Sequence, residues 1–482
     1  MHVVALAVVL VALLPLLGNG SFSADEGAAM IQARHLARGE GWIIDHPLPQ
    51  VDPGGRAYPL ELSERGPKGT APFARHPVYA LLLAGADRAG GAGAMMLLSV
   101  AGAVGAAALA AALGARFGPT FARPSLWVAG LATPLLCDGF VVIAHTLGAA
   151  FAAAAVILAL RVLEGRGRPA VTASGMAACV AIAVLFRTEA VFWGVALGLV
   201  LGLVAVRRRS VLVLAAAVLS VLAAYGARMA EQAWMIRILG SPVVATSAPP
   251  KAASNFLAGR LETFELTWLA PGYGRSPGAA LALLVMLGAV IATTVAARRV
   301  PGDRLLVRTL SALAAVAAVA AVVIAPTNLV PGLLVAAPLV AAGLFALRRS
   351  TLAGVGPHLA LATFALFAAA VIATQYPGGG SVEWGGRYFA LGLPVLVPVI
   401  VMALAAVGRG LDPVTRRSAA AALTACAVAM GVMGLSSLGA IHRRTARLTA
   451  AADRAGRKVA PAGMPVMVST TTSVPRLAWA TV

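Results

Sequence analysis

Repeated apolar runs of about 20 residues are the feature that most limits how this chain can fold. Each run can cross about 30 Å of hydrocarbon as a helix. Within lipid, a spanning segment must satisfy its own backbone hydrogen bonds, as helices and closed barrels do. The 482-residue chain is 60% hydrophobic and 12% charged, which is about half the charged fraction of soluble domains. The sequence therefore predicts an all-α polytopic membrane protein.

The apolar runs predict about 13 transmembrane helices. Residues 1–440 form one transmembrane domain in this interpretation, and residues 441–482 form a short outer C-terminal tail containing a strand at 465–470. The third run is short, which is typical of a broken or re-entrant segment. The predicted spans are 3–18, 94–115, 124–137, 140–161, 170–187, 189–206, 211–231, 279–297, 305–325, 329–347, 357–375, 391–408 and 418–439.

Arginine-rich loops mark one face of the predicted bundle. The net charge of +20 lies mostly in short loops between apolar runs, a pattern that indicates cytoplasmic loops and not a nucleic-acid groove. The loops left on the outer face are 19–91, 232–278 and 376–390. We therefore expect an integral protein of the bacterial plasma membrane whose polar groups face outward. The basic residues after 440 disagree with this rule, because 13 spans place them outside.

The first outer loop concentrates acidic residues beside the membrane. It holds eight of the 18 acidic residues, including the adjacent Asp25 and Glu26 directly after the first span. Residues 26–38 have the pattern of a short amphipathic helix lying in the interface. In one interpretation the acid pair caps this helix, with Asp25 near the N-cap. In the other, a carboxylate acts as a general base or a metal ligand.

Lys68, Arg75 and His76 come late in the same loop. They are either interfacial cations whose stems lie along the membrane or ligands of a lipid phosphate. Pro77 after His76 indicates a helix start, because proline is favoured in the first helical turn.

Two further pairs of polar residues interrupt apolar runs at the predicted outer face. Asp138 and His145 could join Asp25 around a divalent cation such as Mg²⁺ or Mn²⁺, or they are a turn acid and a histidine satisfied inside the bundle. Arg187 and Glu189 are either a self-neutralising ion pair or part of a pocket.

The segment Glu383-Trp384-Gly385-Gly386-Arg387-Tyr388 precedes a late span. Arg387 can hold a phosphate through paired hydrogen bonds, with Glu383 beside it. Tyr388 or Trp384 can stack on a sugar or a prenyl chain. The alternative is an aromatic anchor at the start of a helix.

An acidic pair after the first span, an interfacial helix, a His-Pro-x-Tyr helix start and a late Gly-Arg-Tyr segment occur in this order. The combination resembles the glycosyltransferase C superfamily over about residues 1–190 and 375–400. The resemblance implies an inverting membrane enzyme that moves a sugar from a polyprenyl-phosphate donor to a hydroxyl of a glycan or lipid acceptor. The Ala-, Val-, Gly- and Arg-rich composition is typical of a high-GC bacterial genome, and from this association we expect a sugar of mannose or arabinofuranose type. The resemblance also implies that Asp25 is the catalytic base and Glu26 its partner. The expected substrate-binding residues are Lys68, Arg75, His76, Arg187, Glu189, Glu383, Arg387 and Tyr388.

Two other classes of protein fit the composition. A transporter or lipid flippase could also have 13 spans, but the sequence lacks a two-fold repeat, and its charges gather at one face instead of the midplane. A non-catalytic assembly factor is favoured only if the acid pair is dispensable. We predict one outward-facing cavity lined by Asp25, Asp138, Arg187 and Arg387. A separation of Asp25 and Arg387 of more than about 20 Å would contradict this prediction, because a donor phosphate and its acceptor base must be close neighbours.

The predicted orientation can be tested by cysteine labelling of intact cells. Cysteines replacing Ser63 or Ser276 should react with an impermeant reagent, and one replacing Ser350 should not, because Ser350 follows an arginine cluster. Labelling of Ser350→Cys without labelling of Ser63→Cys would contradict the orientation.

Overall fold

A computed structural model describes residues 1–18, 20–44, 76–239, 256–272, 276–325, 330–374 and 383–459. The described chain is a bundle of helices. Their bounds are α1 His2–Leu17, α2 Ala24–Ala37, α3 Pro77–Phe117, α4 Ala122–Leu131, α5 Leu135–Asp138, α6 His145–Leu163, α7 Pro169–Phe186, α8 Ala190–Arg208, α9 Val211–Leu239, α10 Phe256–Phe264, α11 Pro277–Arg299, α12 Arg304–Ile324, α13 Leu333–Ala336, α14 Pro338–Ala346, α15 Val355–Thr374, α16 Leu393–Arg409 and α17 Pro413–Val459.

The helices account for the predicted spans. Among the described residues, ten helices are long and apolar enough to cross a membrane, and α1 adds a further apolar helix of 16 residues. Two predicted spans are broken in the structure, one into α4 and α5 and the other into α13 and α14. Pro134 and Pro338 lie at these breaks, where proline removes a helical hydrogen bond. The prediction of an all-α membrane protein is confirmed.

The first outer loop contains helices where the sequence indicated them. Helix α2 forms where the amphipathic pattern indicated, and α3 begins at Pro77 as expected. Residues 77–89 of this loop form the first part of α3. The helical path changes direction at Gly90 and Gly91, where Gly91 has a φ of 62°, and the predicted span follows this kink. The Arg88 side chain on α3 secures the C-terminal end of α2, since it donates to the carbonyl oxygens of Ala37 and Leu36 at 2.6 and 3.3 Å.

The arginine-rich loops meet at one end of the bundle. Arg116 at the end of α3 pairs with Glu164 at the end of α6 at 2.8 Å. Arg304 before α12 lies 3.4 Å from Asp412 before α17. The other end of the bundle holds the acid pair at the start of α2, Asp138 at the end of α5 and Arg387 shortly before α16. The fold therefore separates the basic loops from the candidate site, as the charge pattern predicted.

Close helix packing positions α6 against α3. The Thr146 hydroxyl donates to the Ser99 carbonyl at 2.8 Å. A Cβ atom at Gly102 would lie 2.4 Å from Thr146 Oγ1 and 2.7 Å from the Leu147 backbone nitrogen. Small residues allow membrane helices to approach this closely, so Gly102 fixes the depth at which α6 begins.

We expect Gly102→Ala to destabilise the protein by about 1–3 kcal/mol, because the new methyl group would overpack the contact between α3 and α6. The matched control is Gly105→Ala on the same helix, where the nearest atom to a Cβ would be 3.8 Å away. Thermal unfolding in detergent should show a lower Tm for Gly102→Ala only. Equal Tm values for the two variants would contradict the packing argument.

Candidate active site

Two glycines shape the segment 383–392 that leads into α16. Gly385 and Gly386 have φ values of 73° and 68°, a region that favours glycine. A Cβ at Gly385 would lie 2.1 Å from Pro134 Cγ, and one at Gly386 would lie 2.6 Å from the Thr267 carbonyl oxygen. The turn is therefore pressed against two neighbouring segments, and it directs Arg387 into the bundle.

Arg387 is the centre of the site. Its Nη1 donates to Asp25 Oδ2 at 3.2 Å and to Glu383 Oε1 at 2.9 Å, and its Nη2 donates to the Tyr388 hydroxyl at 3.2 Å. Its side chain is only 12% exposed, and a buried cation needs such paired anions. Among the described residues, its buried Nε has no hydrogen-bond acceptor. The predicted proximity of Asp25 and Arg387 is confirmed.

The two adjacent acids have different surroundings. Ser23, and not Asp25, caps α2, since the Ser23 side chain accepts from the Glu26 backbone nitrogen at 3.2 Å. The capping interpretation of Asp25 is therefore wrong. The Asp25 side chain is 33% exposed, so it can meet both Arg387 and a molecule from outside.

Glu26 is fully buried. Its carboxylate accepts hydrogen bonds from the backbone nitrogens of Val142, at 2.6 Å, and Phe22. Burial raises the pKa of Glu26 to about 7, the two backbone donors oppose this rise, and the nearby charge of Glu383 adds to it. Glu26 therefore ties α2 to the turn before α6.

Asp138 and His145 lie deeper, behind Glu383. His145 Nδ1 is 3.5 Å from Glu383 Oε2 and 3.9 Å from Asp138 Oδ1, and all three side chains are buried. Glu383 therefore connects this cluster to Arg387. A small cavity of about 20 Å³ lies beside Asp138 and Glu383, lined also by Trp384. Trp384 and Tyr388 are both buried, and stacking of either ring on a substrate stays a prediction.

Arg187 and Glu189 form an ion pair, which is one of the two interpretations that the sequence offered. Arg187 Nε donates to Glu189 Oε1 at 2.8 Å, and both residues are buried. The stem of Arg187 packs on Gly148, where a Cβ would lie 3.0 Å from Arg187 Cγ. The charge of Arg187 is thus already compensated inside the bundle.

His76 has a partner that the sequence did not reveal. Its Nδ1 lies 3.0 Å from Glu231 Oε1 on α9, and Arg228 donates to the same carboxylate. Trp42 and Trp234 meet in the same region, with ring centroids 4.5 Å apart. Glu231 is the last residue of a predicted span. An acidic residue at that position indicates a buried partner or a functional role, so the sequence did contain a signal for this contact. Lys68 and Arg75 lie outside the described residues.

The described part of the chain contains no group of three or more His, Cys, Asp or Glu side chains arranged to hold a metal. Asp138 and His145 therefore lack a full ligand set there, and the divalent cation stays a prediction. A larger cavity of about 230 Å³ lies between α1, α2 and α3. Glu26 is the one acidic residue among its lining residues, which are otherwise apolar or glycine.

The pKa of Glu26 predicts how stability depends on pH. Between pH 4.5 and about 7 the unfolded chain releases the Glu26 proton before the folded chain does. The free energy of unfolding should therefore fall, by up to about 3 kcal/mol, as pH rises through this window. Glu26→Gln lacks this ionisation, so its Tm relative to the native protein should rise between pH 5 and pH 8. The exposed Glu262→Gln is the control, and parallel Tm curves for the native protein and Glu26→Gln would refute the prediction.

The fold was compared with the folds and sequences of known proteins. No family model and no curated protein sequence matches the chain. Two crystal structures of ArnT from Cupriavidus metallidurans have a similar fold. The form bound to undecaprenyl phosphate is 14% identical, with a TM-score of 0.50 over 99% of this chain and 84% of ArnT. The apo form is 12% identical, with a TM-score of 0.51 over 99% of this chain and 83% of ArnT.

At this identity the likeness concerns the fold, and it extends over nearly the whole chain. It includes the stretch between residues 190 and 375, where the sequence motifs gave no resemblance. The fold predicted from the acid pair and the Gly-Arg-Tyr segment is confirmed: this integral membrane chain has the glycosyltransferase C fold of ArnT.

Proposed function

We propose that this protein is a membrane glycosyltransferase that transfers a sugar from a polyprenyl-phosphate donor to an acceptor hydroxyl. The contact between Asp25 and Arg387, 362 residues apart in sequence, carries the proposal. It places an accessible carboxylate beside a guanidinium that can bind phosphate. These are the two groups that an inverting displacement requires, one for the incoming hydroxyl and one for the leaving phosphate.

The donor phosphate would compete with the carboxylates for Arg387. Asp25 shares Arg387 with Glu383 in the structure, so a phosphate that accepts from the guanidinium can replace Asp25 there. The Nε–H of Arg387, which lacks an acceptor among the described residues, offers a second hydrogen bond to the same phosphate. Phosphate binding would thereby release Asp25 to act as a base.

The transfer step is a single displacement at the anomeric carbon. The acceptor oxygen forms a bond to this carbon as the bond to the phosphate oxygen breaks, and the configuration inverts. The acceptor proton passes to Asp25. The phosphate leaves with the electron pair and is stabilised by Arg387. Lys68, Arg75 and His76 would add positive charge near the donor.

The fold supports the choice of donor. One of the two similar structures is ArnT bound to undecaprenyl phosphate, and we propose a polyprenyl phosphate for this chain as well. From the sequence, the sugar is of mannose or arabinofuranose type and the acceptor is a glycan or a lipid. We propose that transfer takes place at the outer face of the plasma membrane, opposite the arginine-rich loops.

Asp25→Asn is the decisive variant. It keeps the size of the side chain but removes the base, so the rate of sugar transfer should fall by about 10²–10⁴-fold. The Tm should change little, because Ser23 caps α2, Glu383 still pairs with Arg387, and the amide oxygen of the new side chain can still accept from the guanidinium. The control is Asp303→Asn, which alters a capping aspartate at the start of α12 and should leave transfer unchanged. Transfer from labelled polyprenyl-phosphate sugars by purified protein is the measurement.

Two results would refute the proposal. Full transfer by Asp25→Asn would remove Asp25 as the base. A native protein that transfers no sugar from any donor tested, but moves a polyprenyl-phosphate lipid between the leaflets of vesicles, would instead identify a flippase.

A further inference from the structure

Helix α17 continues well beyond the membrane-spanning part of its sequence. It has 47 residues, which corresponds to about 70 Å at 1.5 Å per residue, more than twice the thickness of the hydrocarbon. The sequence predicted a span ending at 439 and a tail after it. The helix instead runs on past exposed Arg443, Arg444 and Arg447. It thereby reaches the turn between α1 and α2.

A hydrogen bond joins α17 to that turn. The Thr445 hydroxyl lies 2.8 Å from the Ser21 carbonyl oxygen, which is nearer than the carbonyl oxygens of Ile441 and His442 in its own helix, at 3.2 and 3.0 Å. Thr445 and Ser21 are 424 residues apart in sequence, and both are buried.

The backbone of the turn is in close contact with α17. A Cβ at Gly20 would lie 2.0 Å from the His442 carbonyl oxygen and 2.2 Å from Thr445 Oγ1. Distances this short exclude any larger residue unless the turn and α17 move apart. Gly20 and Thr445 therefore fix the separation of the two segments.

The turn determines where Asp25 lies. Ser23, two residues after Ser21, caps α2, and the Phe22 backbone nitrogen donates to Glu26. Asp25 is in the first turn of the same helix and reaches Arg387 at 3.2 Å. A shift of the turn would move Asp25 relative to Arg387, and a misplacement of about 1 Å can reduce an enzymatic rate 100-fold.

We propose that Thr445 is a positioning residue for Asp25, and that the end of α17 is therefore part of the active-site assembly. This inference rests on the proposed function, in which Asp25 is the base. Thr445 has no contact with substrate in this role; it acts through Ser21 and the turn before α2.

The test compares three full-length variants. In Thr445→Val the side chain keeps its shape and loses its hydroxyl, so kcat for sugar transfer should fall about 10- to 100-fold while KM for the donor stays nearly constant. Thr445→Ser keeps the hydroxyl and should restore most of kcat. The control is Thr424→Val, which removes an exposed hydroxyl bonded only within α17, to the Ala420 carbonyl. It should behave as the native protein.

A second readout is independent of activity. Hydrogen exchange of the backbone amides of residues 20–30 should be about tenfold faster in Thr445→Val than in the native protein, Thr445→Ser or Thr424→Val, because the turn loses its attachment. Unchanged exchange together with native kcat in Thr445→Val would overturn the inference, as would an equal loss of kcat in Thr445→Ser. If Asp25→Asn keeps full transfer, the proposed function fails, whereas the exchange data still report whether Thr445 holds the turn.

Discussion

A buried guanidinium shared by two carboxylates is the interaction on which this structure depends. Desolvating a cation is expensive, and the expense is offset only by close anionic partners. Arg387 has two, Asp25 from the start of the chain and Glu383 from its own turn. Because two carboxylates share one guanidinium, Arg387 keeps an anionic partner in Glu383 when Asp25 moves away.

The adjacent acids divide two tasks that the sequence could not separate. Glu26 is immobilised by two backbone donors and joins α2 to the turn before α6, whereas Asp25 stays one-third exposed. Neighbouring helical residues point about 100° apart around the helix axis, so one can face the packed interior while the other faces the site. The buried Glu26 thus holds the start of α2 in place without competing with Asp25 for Arg387.

The sequence predicted the parts of the site that follow from local pattern and membrane chemistry. Apolar run length predicted the spans, and the combination of Asp25, Glu26 and Arg387 predicted the fold. The sequence did not predict which side chains contact each other, because these contacts depend on the tertiary packing of distant segments. Nothing local indicates that His76 meets Glu231 or that Thr445 meets Ser21. The sequence indicated that a helix starts at Pro77, but it did not indicate that this helix continues through a kink at Gly90 and Gly91 into the next span.

The order in which the ribosome makes this chain has a consequence for the pair at its centre. Asp25 emerges 362 residues before Arg387, an interval of roughly 20 to 70 seconds at about 5–20 residues per second. During this time Arg387 and α17 have not been synthesised. Asp25 therefore lacks its cationic partner, and the turn before α2 lacks its attachment to Thr445. The nascent protein therefore cannot hold its acid pair in the finished geometry until translation is almost complete. Termination between residues 387 and 445 would leave a chain that contains Arg387 as a partner for Asp25 but lacks the attachment of the turn before α2 to Thr445.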